Sequence, residues 1–148
     1  MTEQIILVVE DNDDDAELTL MAFREANVLN PLIRLDDGVE AVDYLLARGK
    51  HAGRAGEELP AVVLLDLNLP RLGGLEVLAA IRGDERTRHL PVVILTSSSD
   101  DKDRLSAYAN RANSYVQKPV DHDRFVTAAR QLGLYWTLLS LPAPMSVP

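Results

Sequence analysis

Apolar and polar positions along the chain form two alternating patterns. Short apolar runs, rich in β-branched residues, are separated by longer stretches in which apolar residues recur every three or four positions. The apolar runs occupy residues 5–9, 32–35, 61–67, 92–96 and 114–117. Continuous apolar runs are typical of strands buried on both faces, and the three- and four-residue spacing is typical of amphipathic helices.

A strand followed by a helix, five times in succession, predicts an α/β fold. The expected architecture is a doubly wound five-stranded parallel sheet of the flavodoxin type, with strand order 2-1-3-4-5 and an extended C-terminal helix. Residues that commonly cap helices precede each helical stretch. They are Asn12 or Asp13, Asp37, Gly73, Ser99 or Asp100, and Asp121.

Two segments are longer than five strand–helix units with short connections require. Residues 48–59 form a longer connection than a helix-to-strand loop requires, and we expect His51 within it to be solvent-exposed. Residues 1–132 are expected to form the domain, and residues 133–148 an apolar helical extension with a Pro-containing tail. This tail carries no charged residue and is too short to be an output domain.

The composition narrows the class of protein. The chain has 148 residues, 47% of them apolar and 26% charged, which suits one domain with a hydrophobic core. No apolar run approaches the ~20 residues of a membrane span. The net charge of −8 opposes binding to nucleic acid or to an anionic membrane. The absence of cysteine excludes disulfides and thiolate metal sites. We therefore expect a cytoplasmic protein without nucleic-acid or membrane partners.

Chemically compatible side chains stand at the carboxyl ends of four predicted strands. Glu10 and Asp11 follow the first strand, Asp66 lies at the end of the third, Thr96 ends the fourth, and Lys118 follows the fifth. Ligands of a doubly wound sheet bind at this edge, and strands one and three are neighbours, so the carboxylates should converge. Converging carboxylates repel unless a cation joins them, which favours a small hard ion such as magnesium. Together these groups suit phosphoryl transfer.

Each of these features alone has a simpler interpretation. Glu10 and Asp11 would suit a strand end that meets water, Thr96 an ordinary β-branched strand residue, and Lys118 a common exit from a strand. The acidic run at 13–15 is interpreted as a solvated first turn of a helix, matched to the helix dipole. Their joint occurrence at the ends of different strands, in compatible order, favours a functional site.

A family resemblance rests on four stretches: IILVVEDN at 5–12, LLDLNLP at 64–70, PVVILTS at 91–97 and YVQKP at 115–119. Over residues 4–132 the sequence resembles the CheY-like receiver domain of bacterial two-component response regulators. The resemblance implies that Asp66 is the phosphoacceptor, taking a phosphoryl group from the phosphohistidine of a sensor histidine kinase. Such a domain catalyses only its own magnesium-dependent aspartyl phosphorylation and dephosphorylation, and is not otherwise an enzyme.

The same resemblance implies a metal site. Magnesium, or manganese in its place, would be bound by Asp11, by Asp66, by the backbone carbonyl of Asn68 and, through water, by Glu10.

It also implies a switch. Thr96 and Lys118 would bind phosphoryl oxygens, and Tyr115 would turn inward as Thr96 moves toward the phosphate. The bond between Lys118 and Pro119 would be cis, which costs little only before proline.

A narrower resemblance rests on Asn68, the segment 48–59, the serines after Thr96, and the tail around Trp136. With these features the chain is similar to single-domain response regulators that accompany phytochrome histidine kinases. The implied partner is a kinase of the bacteriophytochrome type.

An apolar stripe near the C-terminus predicts a homodimer. Its residues are Tyr108, Tyr135, Trp136, Leu138 and Leu139. A single patch that pairs with itself gives an isologous interface. The alternative is that these residues fold back onto their own core.

Three other functions are alternatives to a phosphorelay receiver. A haloacid-dehalogenase-like phosphatase also uses a strand-end Asp, but it needs a second Asp where this chain has Asn68, and the chain has no cap insertion. A flavodoxin-like flavin binder would suffer repulsion between its phosphate and the acidic run at 13–15. A receiver that serves only as an interaction module would not need the complete set of acids, threonine and lysine.

Overall fold

The structure is a computed structural model of the 148-residue chain. It describes residues 5–28, 30–97 and 100–118, together with positions 123, 126, 127 and 130. The predicted Asp121 cap, Pro119 and residues 133–148 lie outside the described residues, so the expectations for them stay predictions.

Five parallel strands form one sheet in the predicted order 2-1-3-4-5. They are β1 (Ile6–Val9), β2 (Leu32–Leu35), β3 (Val62–Leu65), β4 (Val92–Thr96) and β5 (Ser114–Gln117). β1, β3 and β4 are buried along their whole length, which explains their continuous Val, Ile and Leu content. The fold class and strand order are confirmed. β3 ends at Leu65, two residues earlier than predicted, so Asp66 begins the loop that follows it.

Within residues 5–118, as far as the structure describes them, four helices cover the sheet: α1 (Asp13–Glu25), α2 (Gly38–Leu46), α3 (Gly74–Gly83) and α4 (Asp101–Ala109). Their N-caps are Asn12, Asp37, Gly73 and Asp100, each within the predicted sets. The Asn12 side chain accepts a hydrogen bond from the Asp15 amide at 2.9 Å, and Asp37 accepts one from Glu40 at 2.7 Å. These bonds satisfy amides that the first turn of a helix leaves unpaired.

Apolar side chains fill both sides of the sheet. On one face, Leu7 and Leu65 belong to a large cluster with residues of α2, α3 and α4. On the other face, Ile6, Val8 and Phe23 belong to a smaller cluster beneath α1. Alternate residues of β1 thus contribute to the clusters on opposite faces of the sheet, as expected for a pleated strand. Among the helices that the structure describes, none has the length and apolar character needed to cross a membrane.

The segment between α2 and β3 contains a 3₁₀ helix, Gly49–Arg54, that packs against α2. His51 Nε2 lies 3.1 Å from Glu40 Oε2, and its side chain is only 19% exposed. Its ring also meets the Tyr44 ring edge-on, and the Arg54 guanidinium stacks over that ring at 3.7 Å. The prediction of an exposed His51 is therefore wrong, because α2 presents an acid and an aromatic ring on the face that the segment covers.

Candidate functional site

The carboxyl ends of β1 and β3 bring three acids together. Val9 pairs with Leu65, so Glu10 and Asp66 leave neighbouring strands at the same level. The Asp66 amide donates to the Val9 carbonyl at 3.1 Å, which holds the two chain segments side by side. One carboxylate oxygen each from Glu10, Asp11 and Asp66 lies within 4.8 Å of the other two. The predicted convergence is therefore observed.

Lys118 reaches this cluster from the end of β5. Its Nζ donates to Glu10 Oε1 at 2.6 Å, to Asp15 Oδ2 at 2.8 Å and to Asp66 Oδ2 at 3.1 Å. Its backbone amide donates to the Thr96 carbonyl at 2.6 Å, so the ends of β4 and β5 are tied at the same edge. One ammonium group thus links the acid that follows β1, the acid that follows β3 and an acid in the first turn of α1.

The site has more negative than positive charge. Burial raises the pKa of Glu10 to about 7, and the nearby Asp66 carboxylate adds to this, while Lys118 opposes it. Burial alone would lower the pKa of Lys118, but its hydrogen bonds to Asp15 and Glu10 outweigh burial and raise it. Lys118 is therefore fully charged, and a further cation would relieve the repulsion that remains between the carboxylates.

The acidic run after β1 is divided among different partners. Asp13 Oδ1 accepts from Arg34 Nη1 at 2.8 Å, whereas Asp15 bonds to Lys118. Asp11 and Asp14 are exposed. The interpretation of 13–15 as a wholly solvated turn is wrong for Asp15, because the first turn of α1 places that carboxylate over the end of the sheet.

Asp66 is held by a close approach of α3. The Asn68 amide donates to Asp66 Oδ1 at 3.1 Å, and the Gly74 amide donates to the Leu67 carbonyl at 2.8 Å. A Cβ at position 74 would clash with the Asp66 carbonyl oxygen, a contact that only glycine avoids. Gly74 therefore allows the helix to pack directly on the peptide that carries Asp66.

Thr96 and Tyr115 share one face of the sheet. Thr96 is fully buried at the end of β4. Tyr115 pairs with Ile94, two residues before Thr96, and alternate residues of a strand share a face. Tyr115 is half-buried against the large cluster. The tyrosine therefore lies on the neighbouring strand, on the same face of the sheet as the threonine and two residues before its level.

Two residues at this site were missed from the sequence, Asp15 and Arg34. Arg34 Nε donates to the Glu10 carbonyl at 2.9 Å, in addition to the bond between Nη1 and Asp13. A signal for Arg34 was available, since it is the one charged residue in an otherwise apolar strand, β2. Asp15 had no comparable signal, because its neighbours Asp13 and Asp14 are chemically identical.

The donor set fits a hard divalent cation. Glu10 and Asp66 are buried and Asp11 is exposed, so the three oxygens form a partly open cluster. Oxygen donors of this kind suit magnesium or manganese and do not suit softer ions.

Residues 6–130 match the family model described as the response regulator receiver domain. The chain therefore belongs to the response regulator receiver family, whose members are signalling domains of two-component phosphorelays and not conventional enzymes.

Two curated relatives resemble most of the chain. The probable methanogenesis regulatory protein FilR2 of Methanothrix harundinacea is 42% identical over 132 residues, covering 89% of this chain and 83% of FilR2. Response regulator Rcp1 of Synechocystis sp. is 31% identical over 141 residues, covering 95% of this chain and 94% of Rcp1.

Solved structures agree with this similarity. The bacteriophytochrome response regulator AtBRR is 44% identical, with a TM-score of 0.76 over 95% of this chain and 99% of AtBRR. The Mn²⁺-bound form of Rcp1 is 30% identical, with a TM-score of 0.78 over 98% of this chain and 99% of Rcp1. The comparisons favour a phosphorelay response regulator that resembles phytochrome response regulators, and they do not support the phosphatase alternative.

Proposed function

We propose that Asp66 accepts a phosphoryl group from the phosphohistidine of a sensor histidine kinase and that the domain signals by the resulting change of conformation. A carboxylate oxygen of Asp66 attacks phosphorus, the bond between phosphorus and the imidazole nitrogen breaks, and the histidine side chain departs. The observation that carries this proposal is the 3.1 Å contact between Lys118 Nζ and Asp66 Oδ2 in a cluster that also holds Glu10.

The cation of this site is proposed to be Mg²⁺ or Mn²⁺. Asp11, Asp66, the backbone carbonyl of Asn68 and, through water, Glu10 would hold it. When bound, such an ion neutralises charge on phosphoryl oxygens. The cluster of carboxylate oxygens within 4.8 Å supports this assignment, as does the Mn²⁺-bound form of the similar protein Rcp1.

Lys118 and Thr96 are the proposed phosphoryl ligands. The ammonium of Lys118 already contacts Asp66, so it lies where a phosphoryl group on that residue would need a positive charge. The Thr96 hydroxyl belongs to the neighbouring strand end and would donate a hydrogen bond.

Phosphorylation would act on a two-state element at the β4–β5 edge. The phosphoryl group adds a charge of about −1.5 to −2 at a buried point, and Thr96 would move toward it. Tyr115 is half-buried on the same face of the neighbouring strand and would then turn inward. The differential contacts made by Thr96 and Lys118 in the phosphorylated state supply the bias that any such shift requires.

The proposed kinase is of the bacteriophytochrome type. Its support is the similarity to AtBRR, named as a bacteriophytochrome response regulator, at 44% identity over nearly the whole of both chains. A purified bacteriophytochrome kinase, autophosphorylated with labelled ATP, should transfer its label to this chain faster than an unrelated histidine kinase does.

The acceptor is tested with acetyl phosphate carrying a ³²P label. Asp66→Asn should fold normally and take up no label, because an amide oxygen does not form the acyl phosphate. Asp14→Asn removes the same charge from an exposed position and should take up label like the wild type. Full labelling of Asp66→Asn would reject Asp66 as the acceptor and would favour another carboxylate of the cluster. Absence of label in the wild type would favour a receiver that acts only as an interaction module.

A further inference from the structure

Arg34 occupies a position of β2 where an apolar residue is expected. It pairs with Val8 across the sheet, and its neighbour two residues back, Leu32, packs against the small apolar cluster. Alternation along the strand places Arg34 on that same face. The Arg34 side chain is only 28% exposed, so most of it is buried despite its charge.

The contacts of Arg34 bracket the turn between β1 and α1. Nε donates to the backbone carbonyl of Glu10 at 2.9 Å, and Nη1 donates to Asp13 Oδ1 at 2.8 Å. The residues between these two acceptors are Asp11 and Asn12. Because the guanidinium is planar and its donors have a fixed geometry, both bonds together fix the distance across the turn.

This arrangement does not optimise stability. Arg34 Nη2 is buried and has no hydrogen-bond partner among the residues that the structure describes. An unpaired buried donor lowers stability, and such exceptions in a folded protein call for an explanation. A role in fixing the turn that carries Asp11 supplies one.

We propose that Arg34 is a positioning residue for the divalent-cation site. It holds the turn so that the Asp11 carboxylate stays beside Glu10 and Asp66. It also pairs with Asp13, so that this carboxylate does not compete with Asp11 for the cation. The inference rests on the proposed function, because it requires that Asp11 binds the ion.

The test compares Mn²⁺ affinities of full-length variants, measured by electron paramagnetic resonance of free Mn²⁺. Asp13→Ala removes one of the two contacts made by Arg34, whereas Asp14→Ala removes the same charge one residue away, at an exposed position. Charge alone would weaken binding alike in both variants. The positioning role predicts that Asp13→Ala binds about tenfold more weakly than Asp14→Ala, the scale typical of residues that orient metal ligands.

Arg34→Met separates charge from geometry. The substitution removes a positive charge near the acids, so electrostatics alone would tighten Mn²⁺ binding. The positioning role predicts weaker binding instead, by about tenfold. Circular dichroism and the thermal unfolding midpoint identify any variant whose fold has changed. Asp13 is 89% exposed, so we expect Asp13→Ala to fold, and it tests the positioning role even where Arg34→Met does not fold.

The outcomes distinguish this inference from the function on which it rests. Wild-type binding that Asp11→Asn does not weaken would overturn the cation site, and the role of Arg34 with it. Where binding depends on Asp11, the role of Arg34 alone would be overturned if Asp13→Ala and Asp14→Ala bound Mn²⁺ equally, or if folded Arg34→Met bound Mn²⁺ as tightly as the wild type.

Discussion

At the scale of single residues, Lys118 dominates the electrostatics of the site. Its ammonium bonds to three carboxylates that start from three different elements. Its positive charge offsets part of the negative charge of those carboxylates. A divalent ion bound beside it would therefore share with Lys118 the task of balancing the same negative charge.

Lys118→Met should lower the free energy of unfolding by about 1–3 kcal/mol at neutral pH, because it leaves buried carboxylates without their partner. Saturating Mn²⁺ should stabilise this variant more than it stabilises the wild type, since the ion replaces the missing charge. Urea unfolding with and without Mn²⁺ measures both effects.

Lys50→Met is the matched control for this substitution. Lys50 is 70% exposed and pairs with Glu40, away from the cluster. This variant should respond to Mn²⁺ like the wild type. An equal response of the Lys118 and Lys50 variants would contradict the charge-sharing explanation.

The sequence located Glu10, Asp66 and Lys118 because a general rule applies to them: parallel strands end at one edge of the sheet. The charge of Arg34 in an apolar strand marks it as unusual, but no rule of that kind places Asp15 or Arg34 at the site. Their places depend on which turn of α1 lies over the edge and on how far a long side chain reaches. Those are properties of the assembled fold and not of local patterning.

At the scale of secondary-structure elements, the junction between β3 and α3 sets the place of Asp66. The helix packs on the Asp66 peptide so closely that Gly74 has no space for a side chain. The sequence predicts only that Gly73 caps this helix and assigns no role to Gly74. The steric requirement for glycine at position 74 follows from the packing of α3 on the segment after β3, which the sequence pattern does not reveal.

Gly74→Ala should reduce the free energy of unfolding by about 1–3 kcal/mol, because the added methyl group forces the backbone apart. The same shift should slow labelling of Asp66 by acetyl phosphate, since small misplacements of a reacting group are costly. Unfolding in urea and the initial rate of label uptake are the two measurements.

Gly83→Ala is the control within the same helix. A Cβ there would meet nothing within 4 Å, so we expect no loss of stability and an unchanged labelling rate. Slow labelling of Gly83→Ala would show that α3 affects the site by some route other than the contact at Gly74.

The segment 48–59 illustrates a second limit at this scale. Its 3₁₀ helix has no apolar periodicity, so the sequence indicated only a long loop. Its position depends on Tyr44, which contacts both His51 and Arg54. Contacts among aromatic, cationic and imidazole groups from different elements leave no periodic signal.

At the scale of the whole molecule, an apolar surface on α4 supports the proposed homodimer. Leu105 is 71% exposed and Tyr108 is 50% exposed, and Tyr108 was assigned to the interface from the sequence. The other proposed interface residues, Tyr135, Trp136, Leu138 and Leu139, lie outside the described residues. The dimer therefore stays a proposal.

Tyr108→Glu in the full-length chain should shift the species seen by light scattering toward the monomer, because it places a charge in the proposed interface. Leu18→Glu introduces the same charge at a similarly exposed apolar position on α1 and should leave the mass unchanged. A wild-type chain that is monomeric at high concentration, with and without acetyl phosphate, would contradict the dimer.

The three bonds of Lys118 also have a consequence for the proposed phosphorylation of Asp66. The carboxylates of Glu10, Asp15 and Asp66 restrain the ammonium. A phosphoryl group on Asp66 would have to compete with Glu10 and Asp15 for that ammonium. Asp15 is neither the proposed acceptor nor a proposed metal ligand, so a substitution at this position would change the competition while leaving those residues in place.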